Sequence, residues 1–236
     1  MLEMLSQAST SSHLESLLQV KICGIMREAD ALHAASTGAD MVGLVFAPSR
    51  RRVTPELAAQ IAACLASLEQ PPLIVGVFVN EAEKAIHATA SFVRLDIIQL
   101  SGDETAEEVG RIANHYPVIK ALRFPSDTTV NDALSVCERY LAAAPQGRVQ
   151  LLIDTYQHGS YGGTGETSDW RLAARLAARY PIFVAGGLNP KNIADAVASI
   201  SPFGVDVSSG VERDGSKDTS LLAEFIQAAK GIKVQS

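Results

Sequence analysis

Leu151, Leu152 and Ile153 run into Asp154, and within a dozen residues the chain reaches Gly162, Gly163, Thr164 and Gly165. An apolar run that ends in one carboxylate and opens into a glycine-rich loop reads as a buried strand delivering an acid to a site, with backbone N–H groups nearby for an anion. A second run, Val20 to Ile22, ends at Cys23 followed by Gly24, where glycine lets a chain turn or a ligand approach closely. Arg50, Arg51 and Arg52 are three consecutive cations behind the stiffening Pro48, and a guanidinium offers a planar fork suited to carboxylate or phosphate. Two later loops, Gly186-Gly187 and Ser208-Ser209-Gly210, repeat the pattern of small residues after an apolar run. One such loop is ordinary turn punctuation, but three in succession suggest amides closing around a dianion.

These groups meet only if the chain brings the ends of its apolar runs together. Short β-branched runs at 19–23, 41–46, 73–79, 96–100, 118–122, 149–153, 182–185 and 204–207 alternate with Ala- and Leu-rich amphipathic stretches. That alternation predicts βαβ units and a parallel sheet. Thr54-Pro55 and Asn189-Pro190 each place a capping residue before a first-turn proline, and Asn80 and Ser168 are further expected caps. Leu57, Ile61, Leu65 and Leu68 fall on one helical face, as do Val130, Leu134 and Leu141. Cys64 and Cys137 continue those faces and are expected in the core. Eight strands each followed by a helix predict a single-domain α/β fold, the (β/α)8 TIM barrel, with its functional groups at the C-terminal strand ends. Cys23 would then point into the barrel mouth.

Composition sets the limits on function. A chain of 236 residues, 47% hydrophobic and 19% charged, can bury one large core, about the size of a single barrel. Its net charge of -6 opposes a nucleic-acid or anionic-membrane role, so an anionic substrate needs locally focused cations. Three cysteines without paired spacing fit a reducing cytoplasm and neither a disulfide framework nor a zinc site. Residues 1–17 have no basic start or long apolar stretch and are expected to form a flexible or weakly helical extension ahead of a barrel spanning 18–236. No apolar run approaches the ~20 residues of a membrane span. The sequence leaves monomer and homodimer equally open.

Taken in order, these residues resemble the phosphoribosylanthranilate isomerase family of tryptophan biosynthesis. The resemblance rests on Lys21-Ile22-Cys23-Gly24, Gly38-Ala39-Asp40 with residues 43–46, and Gln99-Leu100 with Gly102-Asp103-Glu104. It continues through residues 162–165 with Asp169-Trp170, Ala185-Gly186-Gly187-Leu188, and the block from Gly204 to Glu212. The resemblance implies that Cys23 is a general base, Asp154 a general acid and Arg51 the contact for the anthranilate carboxylate. Gly163, Gly165, Gly186, Gly187, Ser208, Ser209 and Gly210 would hold the phosphate. The implied reaction is the Amadori rearrangement of N-(5-phosphoribosyl)anthranilate, for which one acid and one base suffice without metal or redox cofactor. A free thiol titrates near ~8.5, so a cysteine base requires a site that favours the thiolate, and Lys21 is near enough in sequence to assist.

The chain departs from the family at Ser101, where histidine is common, and in a loop after Phe46 about one residue shorter, which leaves Arg50 or Arg52 as alternatives to Arg51. His158 reads as a solvated loop residue. Other phosphate-binding barrels, such as indole-glycerol-phosphate synthase or the analogous isomerase of histidine biosynthesis, share single motifs, but they would show a catalytic lysine and glutamate or two aspartates at the strand ends. A non-catalytic phosphoribosyl-binding barrel would need neither Cys23 nor Asp154.

Overall fold

The computed structural model describes residues 18–145, 147–155 and 168–231. Eight parallel strands close into a barrel in chain order: β1 (Gln19–Cys23), β2 (Met41–Val45), β3 (Leu73–Phe78), β4 (Ile97–Leu100), β5 (Val118–Leu122), β6 (Val149–Asp154), β7 (Ile182–Ala185) and β8 (Gly204–Val207). Eight helices cover it: α1 (Glu28–Ser36), α2 (Pro55–Leu65), α3 (Glu83–Val93), α4 (Ala106–Ala113), α5 (Val130–Leu141), α6 (Ser168–Ala177), α7 (Ile193–Ile200) and α8 (Thr219–Lys230). The expected fold is the one found. The seam closes where β1 pairs with β8, Lys21 standing opposite Asp206. Expected residues 1–17 and the loop carrying His158, Gly163 and Gly165 lie outside the described residues.

Two apolar layers follow from strand alternation. Outward side chains of the strands and the apolar faces of the helices make one large core, including Ile61, Leu65, Val109 and Phe225. Inward side chains make a smaller one, Met41, Val75, Ile97, Ile119, Leu152 and Phe183, which fills the lower barrel. Two residues further along, the same strands present Gly43, Gln99, Ala121, Asp154 and Ala185, so the interior turns polar toward the C-terminal ends. Lys21, Gln99 and Asp206 are all buried in this upper region.

Local chemistry explains most helix starts. Thr54 caps α2 by accepting from the Leu57 N–H, with Pro55 in the first turn, as its sequence predicts. Thr105 and Glu108 form a full capping box on α4. Two expected caps do other work. Asn80 adopts a left-handed φ of 50° and accepts from the Asp103 N–H at 2.7 Å, leaving Ala82 to start α3. Asn189 belongs to a turn, and α7 begins after Asn192. Ser168 is the first residue of α6. Two strands stop short of their expected ends, because Phe46 leaves the sheet to stack on Phe78 at 5.1 Å and Val79 is exposed. Cys137 is buried as expected, whereas Cys64 is only half-buried.

Two side-chain carboxylates tie neighbouring strands, Asp40 at the N-terminal end of the barrel and Glu104 at the C-terminal end. Asp40 accepts from the Val20 N–H and the Lys230 ammonium, joining β1, β2 and α8. Glu104 accepts from Asn80 N and Gly102 N and pairs with the buried Lys120 at 2.7 Å, fixing the ends of β3, β4 and β5 together.

Gly110 in α4 tests how closely these layers pack. A Cβ there would stand 2.3 Å from the Ala143 carbonyl oxygen. Gly→Ala in a helix ordinarily gains up to ~1 kcal/mol, while overpacking a rigid neighbour costs about 1–3 kcal/mol, so the clash decides the sign. Gly110→Ala is expected to lower stability by about 1–2 kcal/mol in urea denaturation, and a raised midpoint would show that the α4–α5 contact yields.

Candidate active site

The C-terminal ends of β1, β2 and β8 assemble a charged cluster around Cys23. Gly43 on β2 pairs in register with Cys23, and its missing side chain makes the room. The Cys23 Sγ and the Lys21 Nζ lie 3.0 Å and 3.1 Å from the point a Gly43 Cβ would occupy. Lys21 is fully buried and donates to Asp206 Oδ1 at 2.8 Å. Burial alone would lower the Lys21 pKa, but Asp206 and a Cys23 thiolate outweigh it and hold the ammonium above its ordinary range. Cys23 itself is half-buried. Burial pushes its thiol up; Lys21 opposes this, Asp206 reinforces it, and Lys217 opposes it from the other side. The net direction is upward.

Arg51 lies against Gly24, just past the end of β1. Its Cδ stands 2.4 Å from the position of a Gly24 Cβ, so only glycine admits the arginine against the strand end. Its guanidinium is already engaged in a way sequence reasoning did not foresee. Arg51 Nε donates to Glu212 Oε1 at 2.6 Å and Nη2 to Oε2 at 2.8 Å, a bidentate fork. Arg50 also reaches Glu212 at 2.6 Å, and the buried Lys217 at 3.0 Å. Arg52 is exposed.

Glu212 and Lys217 sit on a two-stranded hairpin, β9 (Glu212–Arg213) and β10 (Ser216–Lys217), that follows the short helical turn Ser209–Val211. Its turn residues Asp214 and Gly215 have φ of 51° and 80°, the paired positive values of a type I′ turn. Asp-Gly between two short runs is the sequence signal that would have revealed the hairpin. Lys21, Arg50, Arg51 and Lys217 thus focus four cations against the carboxylates of Asp206 and Glu212, in a chain whose overall charge is negative.

Asp154 ends β6, in register with Ala185. It pairs with Arg123, an exposed residue just past β5 that sequence reasoning also missed. Asp154 lines a cavity of about 690 Å3 together with Asp206, Gln99, Ser101, Ala185 and Arg123. That volume suits a small-molecule ligand. Cys23 is not among the residues lining it, but Asp206 links the two halves, bordering the cavity and holding Lys21 beside Cys23. Ser101, the departure from the expected histidine, accepts from the Gln99 side-chain amide at 3.0 Å.

The later glycine loops are described from β7 onward. Gly186 and Gly187 have φ of 98° and 67°, conformations that favour glycine, and a Gly187 Cβ would meet nothing within 4 Å. A Gly210 Cβ would stand 1.8 Å from the Leu188 carbonyl oxygen, so the loops after β7 and β8 pack backbone to backbone. Ser209 is exposed, and Ser208 turns its hydroxyl toward Gly24 and Lys217.

The chain is similar to known proteins over most of its length. A family model for N-(5'phosphoribosyl)anthranilate (PRA) isomerase matches residues 20–228. The chain is 44% identical over 218 residues to the N-(5'-phosphoribosyl)anthranilate isomerase of Roseiflexus sp. (strain RS-1), covering 91% of this chain and 98% of that one. Among solved structures it resembles a phosphoribosyl anthranilate isomerase in complex with reduced 1-(o-carboxyphenylamino)-1-deoxyribulose 5-phosphate. That match has a TM-score of 0.76 and 37% identity, covering 92% of this chain and 100% of that one. It also resembles monomers derived from the dimeric isomerase of Thermotoga maritima, with a TM-score of 0.75 and 36% identity over 92% and 100% of the two chains.

The Glu212 cluster has a signature in acid. Burial would raise the Glu212 pKa, but hydrogen bonds from Arg51 and Lys217 outweigh it and hold the carboxyl below its ordinary 4.5. A depressed folded value means stability that is present above the unfolded pKa and lost as pH falls through the folded one. Glu212→Gln is therefore expected to be less stable than the parent at neutral pH, with the gap closing as pH falls below about 4.5. Urea denaturation across that range checks it, and a gap independent of pH would mean the carboxylate charge contributes nothing.

Proposed function

The chain belongs to the N-(5'-phosphoribosyl)anthranilate isomerase family, and from that membership we propose how its residues divide the work. The activity is isomerisation of N-(5-phospho-β-D-ribosyl)anthranilate to 1-(2-carboxyphenylamino)-1-deoxy-D-ribulose 5-phosphate, an aldose–ketose rearrangement. Asp154 gives a proton to the furanose ring oxygen, the C1–O bond breaks, and the anthranilate nitrogen supplies the electron pair that makes the iminium. The Cys23 thiolate then takes the C2 proton. The C–H electron pair forms the C1–C2 double bond of the aminoenol and discharges the nitrogen, and tautomerisation leaves the ketone at C2. The observation that carries this reading is Asp206, which both borders the Asp154 cavity and holds Lys21, the residue beside Cys23.

Arg51 takes the anthranilate carboxylate. Its Nη1 donates in no contact with Glu212, and Glu212 keeps Arg50 and Lys217 as partners if Arg51 moves toward substrate. The phosphate lies at the far end, against Gly186, Gly187, Ser208, Ser209 and Gly210; Gly163 and Gly165, expected to share that role, lie outside the described residues. Support comes from the left-handed glycines after β7 and the close packing of Gly210, in the next loop, on Leu188.

We further propose that residues 18–236 act as the catalytic domain in tryptophan biosynthesis, with residues 1–17 outside it; the family match beginning at residue 20 supports that boundary. Among the described residues no helix is long and apolar enough to cross a membrane. A cytoplasmic enzyme acting as a monomer or homodimer, without nucleic-acid partners, fits the acidic chain and its three cysteines.

Purified protein given freshly made phosphoribosylanthranilate should quench its anthranilate-type fluorescence, and no change at high enzyme concentration would leave a binding protein instead. Cys23→Ala and Asp154→Asn should each lower kcat by about 100-fold or more with an unchanged circular dichroism spectrum. Near-parental turnover in either would remove that residue from the pair. Arg51→Ala should mainly raise KM; a raised KM in Arg50→Ala or Arg52→Ala in its place would move the carboxylate contact.

A further inference from the structure

We propose that Lys21, held by Asp206, is the positioning residue that gives Cys23 its thiolate, acting through charge without touching substrate. This deepens the reading of Cys23 as the base and rests on it for its catalytic consequence.

The geometry begins with alternation along β1, which turns Lys21 and Cys23 inward on the same face two residues apart. Gly43 on the neighbouring strand leaves one slot into which both reach, the ammonium at 3.1 Å and the sulfur at 3.0 Å from the same point. Any side chain at residue 43 would stand between them. On the other side, Asp206 takes one of the three ammonium protons at 2.8 Å, which leaves donors for a second anion. The pair is wholly interior, and a buried ion pair is a poor source of stability compared with apolar residues of the same size. Its placement against the reactive sulfur supplies a reason for it.

Among the described residues, four charged groups face or approach this sulfur. Lys21 comes from β1, Asp206 from β8, Lys217 from β10 and Arg51 from the loop after β2. Lys217 and Arg51 both converge on Glu212, where Arg50 joins them. Lys21 has a single carboxylate partner that borders the substrate cavity. Before proton transfer the ammonium is shared between Asp206 and the thiolate. When the C2 proton reaches Sγ the sulfur becomes a neutral thiol, and Lys21 returns wholly to Asp206. No charge enters or leaves the interior during the step except that of the substrate. Burial pushes the thiol upward, and Lys21 is the largest influence opposing that push.

The test reads the thiolate directly. The pH dependence of Cys23 alkylation by iodoacetamide is followed by mass spectrometry on the Cys23 peptide, so that the half-buried Cys64 does not contribute. Lys21→Met should raise the midpoint by about one pH unit or more, a tenfold loss of thiolate on the alkaline side of neutrality, and Lys21→Arg should restore most of it. Asp206→Asn should lower the midpoint, because the ammonium is then left to the sulfur alone. A packing role would move both single variants the same way, and that outcome would overturn the proposal. Should Lys21→Met fold poorly with Asp206 left unpaired, the double variant Lys21→Met/Asp206→Asn carries no lone charge. Its midpoint must exceed that of Asp206→Asn; equality would also overturn the proposal. The kcat of Lys21→Met should fall at neutral pH and recover as pH rises, with KM little changed. A shifted midpoint with an unshifted kcat would keep Lys21 as the counter-ion and remove Cys23 from the base role.

Discussion

The barrel closes where β1 pairs with β8, and at that seam a buried ammonium on one strand meets a buried carboxylate on the other. The register that opposes Lys21 to Asp206 also sets Cys23 beside Gly43 and brings the loop after β8 against Gly24 and Arg51. A shift of one residue in β1 would turn Lys21 and Cys23 outward. Desolvating two charges is costly, and the cost is tolerable only with both partners present. The seam therefore couples closure of the fold to the electrostatics of the mouth, since the pair that must form when the sheet closes is the pair that borders the sulfur.

Around that seam the molecule solves one problem twice. In a chain of net negative charge, Arg50, Arg51 and Lys217 gather on Glu212 and Lys21 on Asp206. Each carboxylate keeps cations in place while no substrate is bound, and Glu212 has enough partners to release one. Across the barrel the same logic recurs in Arg123 beside Asp154.

The sheet was legible because strands buried on both faces are continuous β-branched runs, and the eight expected runs fall within a residue or so of those found. Thr54-Pro55 was legible for a similar reason, since cap and proline act within one turn. Asn80 and Asn189 misled because asparagine serves turns as readily as caps, and for Asn80 the deciding partner, Asp103, lies on the next loop. Cys23, Arg51 and Asp154 stood out as unusual types at strand ends. Their partners did not: Glu212 meets Arg51 across 161 residues, and Arg123 meets Asp154 across a strand boundary with no motif to mark it. The Asp214-Gly215 turn was the one local clue to the hairpin that carries Glu212 and Lys217. Side-chain pairing across a barrel is a product of closure, which no window of sequence contains.

A crystal structure of this chain with the reduced product analogue bound tests the account most directly. The account predicts the Cys23 sulfur and the Asp154 carboxyl on either side of the sugar carbons C1 and C2, each within about hydrogen-bond reach of the group it serves. It also places the aryl carboxylate on Arg51 and the phosphate between the loops after β7 and β8. An analogue bound with its sugar carbons out of reach of Cys23, or with the phosphate at the Arg51 end, would contradict it.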